Sequence, residues 1–416
     1  MSSDPSASGP HVAVVGAGPV GCVAAAVLAT HGIRVTILEA APQLPLELRA
    51  STFHPATLEL LSPLGVVPEM IDRGLIADRF AYRDRRHGLV AQFDLSSVRD
   101  VTQYPFRLQC EQFKLCQILM GRFAEIDSVD VRFAAPVAGV SQTDEEAIVH
   151  FSYGRSETFD AVVGADGASS NVRKALDLTF EGMTYADRYV VVSTPFEMAD
   201  HLDDLAYVNY ISDPDEWLVL LRTVDLWRAL FPVGDNESDA AALSDESAER
   251  RLQGVVARPE RYEIAHRTIY QVHQRVANEF RVGRVVIAGD AAHINNPLGG
   301  MGMNGGVHDA VLLGHGLAGF INGQIASEQL DHLADRRRDL AIDYVRRHTH
   351  ANAVSLAAPS GEARQAALDQ MAVTAEDAGA ARDYVLQASM IKALWSMESE
   401  LDSVDSWPDG LARSAS

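Results

Sequence analysis

Three segments carry residues whose types and spacing could do chemistry: GAGPVG at Gly16–Gly21, GADG at Gly164–Gly167, and GDAAHINNPLGGMGMN at Gly289–Asn304. In the first, Gly16 permits a tight turn, Gly18 lets the backbone approach a pyrophosphate, and Gly21 lets a helix pack close to a strand. With Ala17 in the turn, a helix opening at Pro19 and Val20 offers free N–H groups and a positive dipole end to phosphate. Glu39, followed by Ala40, ends the next apolar run, close to the spacing at which a carboxylate takes ribose hydroxyls. In the third segment, Asp290 follows the run Val285–Ala288. It sits at the carboxyl end of a strand, where open α/β sheets bind ligands. One such glycine motif is a weak signal; three in this order point to one FAD gripped at three places.

The elements that must position these residues are readable. HVAVVGAGPVGCVAAAVLATHGIRVTILEA reads as strand, turn, helix, strand. Val12–Val15 is a strand buried on both faces, and Val20–Thr30 a helix. Gly32 is its stop, and Arg34–Leu38 a second parallel strand. Val12–Ala29 is uncharged and long enough to pass a crude membrane filter. Gly16, Gly18, Pro19 and Gly21 toward its start make strand, turn and helix the better reading. FDAVVGADGASSNVRKAL gives another strand at Ala161–Gly164 and a helix beginning near Ser170. In the third segment the spacing predicts a loop through Pro297, Gly299, Gly300 and Gly302, then a helix from near Asn304 past Leu313. Free N–H groups there could stabilise negative charge on a reduced flavin. Gly300, Gly302 and Gly305 also spell G-x-G-x-x-G. They follow a loop, with no strand and acidic residue downstream, so no second dinucleotide fold is expected.

The chain has 416 residues, 47% of them hydrophobic, and a net charge of −22 from 35 basic and 57 acidic residues. That balance argues against a nucleic-acid or anionic-membrane surface. Cys22, Cys110 and Cys116 have neither zinc-ribbon nor redox spacing, which suits a reducing, cytoplasmic setting. The polar N-terminus has no signal-peptide pattern. No His, Asp or Glu cluster has ligand spacing, so no metal is expected.

Between the second and third motifs the pattern changes to successive strands: Leu205–Ile211, Glu216–Val224 and Leu226–Val233, separated by turn signals. This suggests a mostly antiparallel sheet over the cofactor. Period two puts Tyr207 on one face and Tyr210 on the other. An arginine facing the flavin, Arg222 or Arg228, would suit a carboxylate or phenolate. Tyr82, in FAYRDRR, is a further candidate, and His293, just after the third-motif Asp, suits a positioning role. His54 and His273 could lie near the cofactor or be merely exposed. The tail from Ala351 reads as helices.

With these motifs, the chain resembles the single-component flavoprotein aromatic hydroxylases, the para-hydroxybenzoate hydroxylase family, over about residues 10–350. RASTFHPATLELL (Arg49–Leu61) and QFKLCQIL (Gln112–Leu119) match further family segments. The resemblance implies an α/β fold: a Rossmann-like FAD-binding domain (10–80, 101–185 and 275–350), an inserted, mostly antiparallel substrate sheet (81–100 and 186–274), and C-terminal helices (351–416). By position, Arg49 would approach the pyrophosphate and Gln112 the ribityl or phosphate region. Val137 would lie on the adenine side, and Asp166 in the segment that handles FAD and NAD(P)H. Asp290 would hold the ribityl chain. Gly300, Gly302, Met303 and Asn304 would face the flavin, with Pro297 beside its reactive C4a edge. His293, Arg222, Tyr82 and Tyr207 would serve the reaction site.

The implied activity is oxygen transfer from a C4a-hydroperoxyflavin to a phenolic or hydroxy-heteroaromatic ring, using NAD(P)H and O₂. Ser169 stands where some members have a nicotinamide-contacting His, leaving NADH versus NADPH open. The implied partners are a small aromatic substrate, O₂ and NAD(P)H, without nucleic acid or membrane, in a monomer or homodimer. Alternatives are a related halogenase or reductase, or a non-catalytic FAD-binding sensor. The W-x-W motif of halogenases is missing.

Overall fold

In the computed structural model, residues 9–46, 48, 50–344 and 361–397 are described. A six-stranded sheet organises the first half of the molecule. Its order is Arg281–Val282, Val285–Ile287, Ala161–Gly164, His11–Val15, Arg34–Leu38, Val129–Arg132. All neighbours are parallel except the first pair. Val12, Ala13 and Val14 are fully buried, as a strand covered on both faces requires.

The helix Pro19–Thr30 follows at once, with Pro at its first position and Val20–Leu28 all buried. Its closeness to the strand rests on glycine. A Cβ on Gly21 would lie 1.9 Å from the Gly16 carbonyl oxygen, and Gly16 itself has φ +104°. Ser170 caps the helix Asn171–Ala175, its Oγ accepting from the Arg173 N–H at 2.9 Å. The helix of the third motif runs Met301–Ile321, opening three residues earlier than the spacing predicts. Gly300 supplies the left-handed residue before it (φ 68°), and no side chain caps its first N–H groups. Met303 and Asn304 therefore lie inside the first turn rather than before it.

An eight-stranded sheet forms the second layer: His293–Ile294, His266–Ala277, Phe180–Thr194, Trp227–Val233, Leu218–Arg222, Val208–Ser212, Arg79–Asp84, Gly88–Asp94. It is antiparallel except where Tyr210 pairs with Tyr82 in a parallel ladder. Its two faces separate by alternation. Val190, Val192, Leu218, Leu220, Trp227, Ala229 and Phe231 pack into one core with the helix Asp245–Val255. Tyr189, Tyr210, Val219 and Tyr82 belong to the main core on the other face.

A small antiparallel sheet joins Thr52–Phe53, Arg107–Gln109 and Leu75–Ala77. The C-terminal helices Gly361–Glu376, Ala378–Ala388 and Ile391–Trp395 cover the far strands. Arg364 pairs with the buried Asp84, and the two Nη atoms of Arg382 sit 2.7 and 2.8 Å from the Asp100 carboxylate. No helix among the described residues is long and apolar enough to cross a membrane.

Candidate active site

A cavity of about 760 Å³ runs between the two large sheets. That is within the range of cofactor sites, ~300–1,000 Å³. One end is built by the first motif. Gly16, Ala17, Gly18, Pro19 and Val20 line it together with Glu39 and Ala40. A Cβ on Gly18 would meet nothing within 4 Å, so the helix N-terminus opens onto free space. Glu39 is held in place by two backbone donors, Ala17 N–H to Oε2 and Ala41 N–H to Oε1, each at 2.8 Å. Each oxygen keeps a second lone pair for a ligand hydroxyl. Gln112, Val137, Asp166 and Asp290 also line it, as do Pro297, Gly300, Gly302 and Met303. Two helix N-termini, at Gly18–Val20 and at Gly300–Met303, thus face one cavity. Such an arrangement suits a ligand with a diphosphate and a ring that takes up negative charge, and FAD fits that description.

Some expected ligand contacts are structural instead. Gly21 packs against Gly16 and is not in the lining. Asn304 is fully buried: its Oδ1 accepts from the His54 N–H (2.9 Å), and its Nδ2 donates to the Thr52 (2.8 Å) and Gly300 (2.6 Å) carbonyls. Its side chain ties the helix to the 52–54 segment. Asp166 lines the cavity, but its carboxylate also caps the following helix, accepting from Asn171 N–H (2.7 Å) and Val172 N–H (3.2 Å). Arg49 lies outside the described residues.

Of the residues expected at the reaction site, Pro297 borders the cavity, and so does Arg228, the alternative to Arg222 as the flavin-facing arginine. Arg222 falls on the opposite sheet face, in phase with Leu218 and Leu220, where its Nη2 is 3.1 Å from Glu197. Tyr207 is 39% exposed and in phase with that same face. Tyr82 is buried behind the cavity wall, its hydroxyl 2.6 Å from that of Tyr384. Burial raises the Tyr82 hydroxyl well above its ordinary value and takes Tyr384 to about 12, so neither is a base near neutrality. His293 stacks on Phe280 (5.8 Å), with Nε2 2.7 Å from Asp309 Oδ2. Asp309 also accepts from the Gly289 N–H (3.1 Å) and from Arg337 Nε (3.0 Å) and Nη2 (2.8 Å). Burial pushes the Asp309 carboxyl up, but His293 and Arg337 outweigh it and hold it at about 2. His293 therefore braces the third-motif loop from behind and does not reach the cavity.

The sheet wall is formed by Val191, Leu221, Arg228 and Leu230, with Tyr270 beside them. Arg228 is 4% exposed. Its Nη2 donates to the Leu48 carbonyl (2.7 Å) and its Nη1 to Ser51 Oγ (3.3 Å), while Nε has no partner. Burial lowers its pKa, with Tyr270 and Glu111 opposing. Three further polar residues that the sequence did not single out as catalytic, Arg107, Gln109 and His54, are buried beside Thr52, which lines the cavity, and are not in the lining themselves. Only the pairing of two distant short strands brings them together, although His54 is noted above as a candidate near the cofactor. The contribution of Tyr384 from a C-terminal helix has no sequence signal.

Comparison with known proteins identifies the family. The family described as FAD binding domain matches residues 10–348. A para-nitrophenol 4-monooxygenase of Pseudomonas sp. (strain WBC-3) is 34% identical over 82% of this chain and 86% of its own length. The 6-hydroxy-3-succinoylpyridine 3-monooxygenase of Pseudomonas putida is 33% identical over 79% of this chain and 84% of its own. A crystal structure of p-nitrophenol 4-monooxygenase from Pseudomonas putida superposes with a TM-score of 0.86 at 28% identity, covering 92% of this chain and 99% of that one. The chain belongs to the FAD binding domain family and is a flavoprotein aromatic monooxygenase within it.

Proposed function

We propose that the protein hydroxylates a small phenolic or hydroxy-heteroaromatic ring, with NAD(P)H and O₂ as co-substrates. One observation carries this reading. A single cavity joins the glycine-rich helix N-terminus at Gly16–Val20 to an apolar sheet wall at Val191, Leu221 and Leu230, with Pro297 also in its lining. Bound FAD would supply the chemistry there, accepting a hydride and activating oxygen.

In this reading the residues divide the work. Gly16–Val20 and the helix dipole behind them hold the diphosphate. Glu39 takes the adenosine ribose, Val137 the adenine side, and Gln112 and Asp290 the ribityl region. Asp166 stands at the edge used in handling FAD and NAD(P)H. N–H groups at Gly302 and Met303 face the flavin pyrimidine, where they favour added negative charge. Leu221, Leu230 and Val191 exclude water and flatten the space for an aromatic ring. Arg228 holds Leu48 and Ser51 through its two Nη atoms. The names of both relatives specify hydroxylated aromatic substrates, a nitrophenol and a hydroxypyridine.

The test is a screen of phenols and hydroxypyridines that follows NADH and NADPH oxidation, peroxide release and product mass. A product heavier by one oxygen supports the reading. Oxidation without any oxygenated product across the panel, or halogenation in its place, refutes it.

A further inference from the structure

The chain from the strand His293–Ile294 runs along the helix Met301–Ile321 toward its open end. Gly302 and Gly305, three residues apart, share one face of that helix. A Cβ on Gly305 would lie 3.1 Å from His293 Cε1, and a Cβ on Gly302 would lie 2.8 Å from Asn295 Oδ1. The two glycines thus make room for the two side chains. The protein answers only one of them: His293 meets Asp309. Asn295 is half-buried and lines the cavity, as do Ile294, Pro297, Gly302 and Met303. Among the described residues its carboxamide has no hydrogen-bond partner, and both of its polar atoms keep accessible surface.

The next residue behaves differently. Asn296 is 4% exposed. Its Oδ1 accepts from the Leu298 N–H at 3.0 Å, and its Nδ2 donates to the Tyr189 hydroxyl at 3.3 Å. One asparagine fastens the loop, and the other faces the space that a ligand fills. Water serves that amide in the open cavity. A ligand that displaces the water has to serve it instead, because a polar group enclosed without a partner is costly.

Donors and acceptors decide what the ligand must present. No side chain caps the first-turn N–H groups of the helix, and they can only donate. Asn295 Oδ1, beside Gly302, can only accept. A phosphate or carboxylate accepts only, so it suits the N–H groups and leaves Oδ1 unmatched. A ring imide suits both, because it carries an N–H between two carbonyls. The pyrimidine edge of the flavin is such an imide. We propose that Asn295 holds the flavin ring by its N3–H, with Oδ1 accepting from N3 while the N–H groups of Gly302 and Met303 donate to the adjoining C2 carbonyl oxygen. This rests on the placement of the flavin pyrimidine at Gly302 and Met303 given above, and not on which ring is hydroxylated. Its consequence is orientation. A ring pinned at N3 cannot turn in its own plane, so its reactive edge keeps one position relative to Pro297 and the sheet wall.

The test titrates the full-length, flavin-free protein with FAD and with 3-methyl-FAD, in which a methyl group replaces the N3 hydrogen. Flavin fluorescence reads the dissociation constants, and NAD(P)H is left out, so turnover plays no part. The wild type should bind FAD about tenfold more tightly than 3-methyl-FAD, as expected when a hydrogen bond is lost and its acceptor left unpaired. Asn295→Leu, similar in volume, should weaken FAD about tenfold and change 3-methyl-FAD by about twofold or less, so the preference collapses. No preference in the wild type overturns the proposal and the placement of the ring with it. A preference that persists undiminished in Asn295→Leu overturns the proposal alone, since another group then holds N3. If Asn295→Leu does not fold, Asn295→Ala decides by the same ratio. Failure to oxygenate any phenol would refute the proposed reaction and leave these ratios untouched.

Discussion

The cavity wall and the packed surfaces on either side of it treat buried arginines differently. Behind the flavin loop, Arg337 meets Asp309 at 2.8 Å. On the outer face of the eight-stranded sheet, Arg222 meets Glu197 at 3.1 Å, and Arg251 meets Glu216 at 3.0 Å and Glu237 at 2.7 Å. On the wall, Arg228 has no carboxylate within ion-pair distance among the described residues, although Glu111 acts on its charge from further off, and its Nε is unpartnered. Leaving a buried cation without a counter-charge is costly. The contrast lies between Arg228 and the paired arginines named here and is not a rule for the fold, since buried Arg83 and Arg173 are answered by backbone carbonyls alone. The contrast also separates two arginines that the sequence alone could not rank. Arg222 and Arg228 lie on adjacent antiparallel strands, with Arg222 opposite Trp227 and Arg228 opposite Leu221. That one-residue difference in phase sends one outward and the other to the wall.

The sharpest way to break this comparison is at the most fully answered site. Asp309→Asn leaves Arg337 buried without its anion, which should lower stability by about 3–5 kcal/mol. Chemical denaturation measures it. A loss under 1 kcal/mol would mean that the packed charges are not mutually dependent. The carboxylate's folded pKa lies below its unfolded value of 3.8. Its contribution is therefore full above about pH 4 and lost as pH falls toward 2.

Next in size is Arg228→Met. It removes the bonds to Leu48 and Ser51 and the guanidinium from the cavity wall, so kcat/KM should fall about 10²-fold. FAD content should hold while more NAD(P)H ends as peroxide. An unchanged ratio of product to NAD(P)H would detach Arg228 from the substrate.

How much of this was legible depends on the distance between interacting residues. The cofactor half was readable because Gly16, Gly18 and Gly21 act within one turn, and Asp290 directly follows its strand. In the substrate half, strand positions and the opposition of Tyr207 to Tyr210 could be read. Which face meets the cavity could not, because that depends on how the sheet docks. Least legible was the meeting of His54 with Arg107 through a ladder of two pairs: the segment of His54 matches a family pattern, but nothing in the sequence marks Arg107 as its neighbour.

Buried histidines offer a third, smaller test of the packed side. Burial takes His308 and His315 to about 3 from an ordinary 6.5. The unfolded chain thus binds more protons below about pH 6.5, and folding stability should fall as pH drops from there toward 3. Each group adds about 1.4 kcal/mol per pH unit across the steep part of that window. His315→Asn should flatten the slope by that amount. An unaltered slope would show that His315 is not held neutral.

The smallest effect belongs to Arg222, and it tests the assignment of faces most directly. Its side chain is 17% exposed, and its partner Glu197 is 39% exposed, so solvent screens the pair. Glu197 is also held by Trp227, whose Nε1 donates to Oε1 at 2.6 Å, and would keep its place without the arginine. Arg222→Ala should therefore cost about 1 kcal/mol or less in stability. It should leave FAD content, KM and the coupling of NAD(P)H oxidation to product at wild-type values. The same assays applied to Arg222→Ala and Arg228→Met then isolate sheet phase as the variable, since both remove a guanidinium from neighbouring strands of one sheet. Uncoupling in Arg222→Ala equal to that in Arg228→Met would mean that the outer face communicates with the substrate space. The division between answered and unanswered arginines would then have no functional meaning.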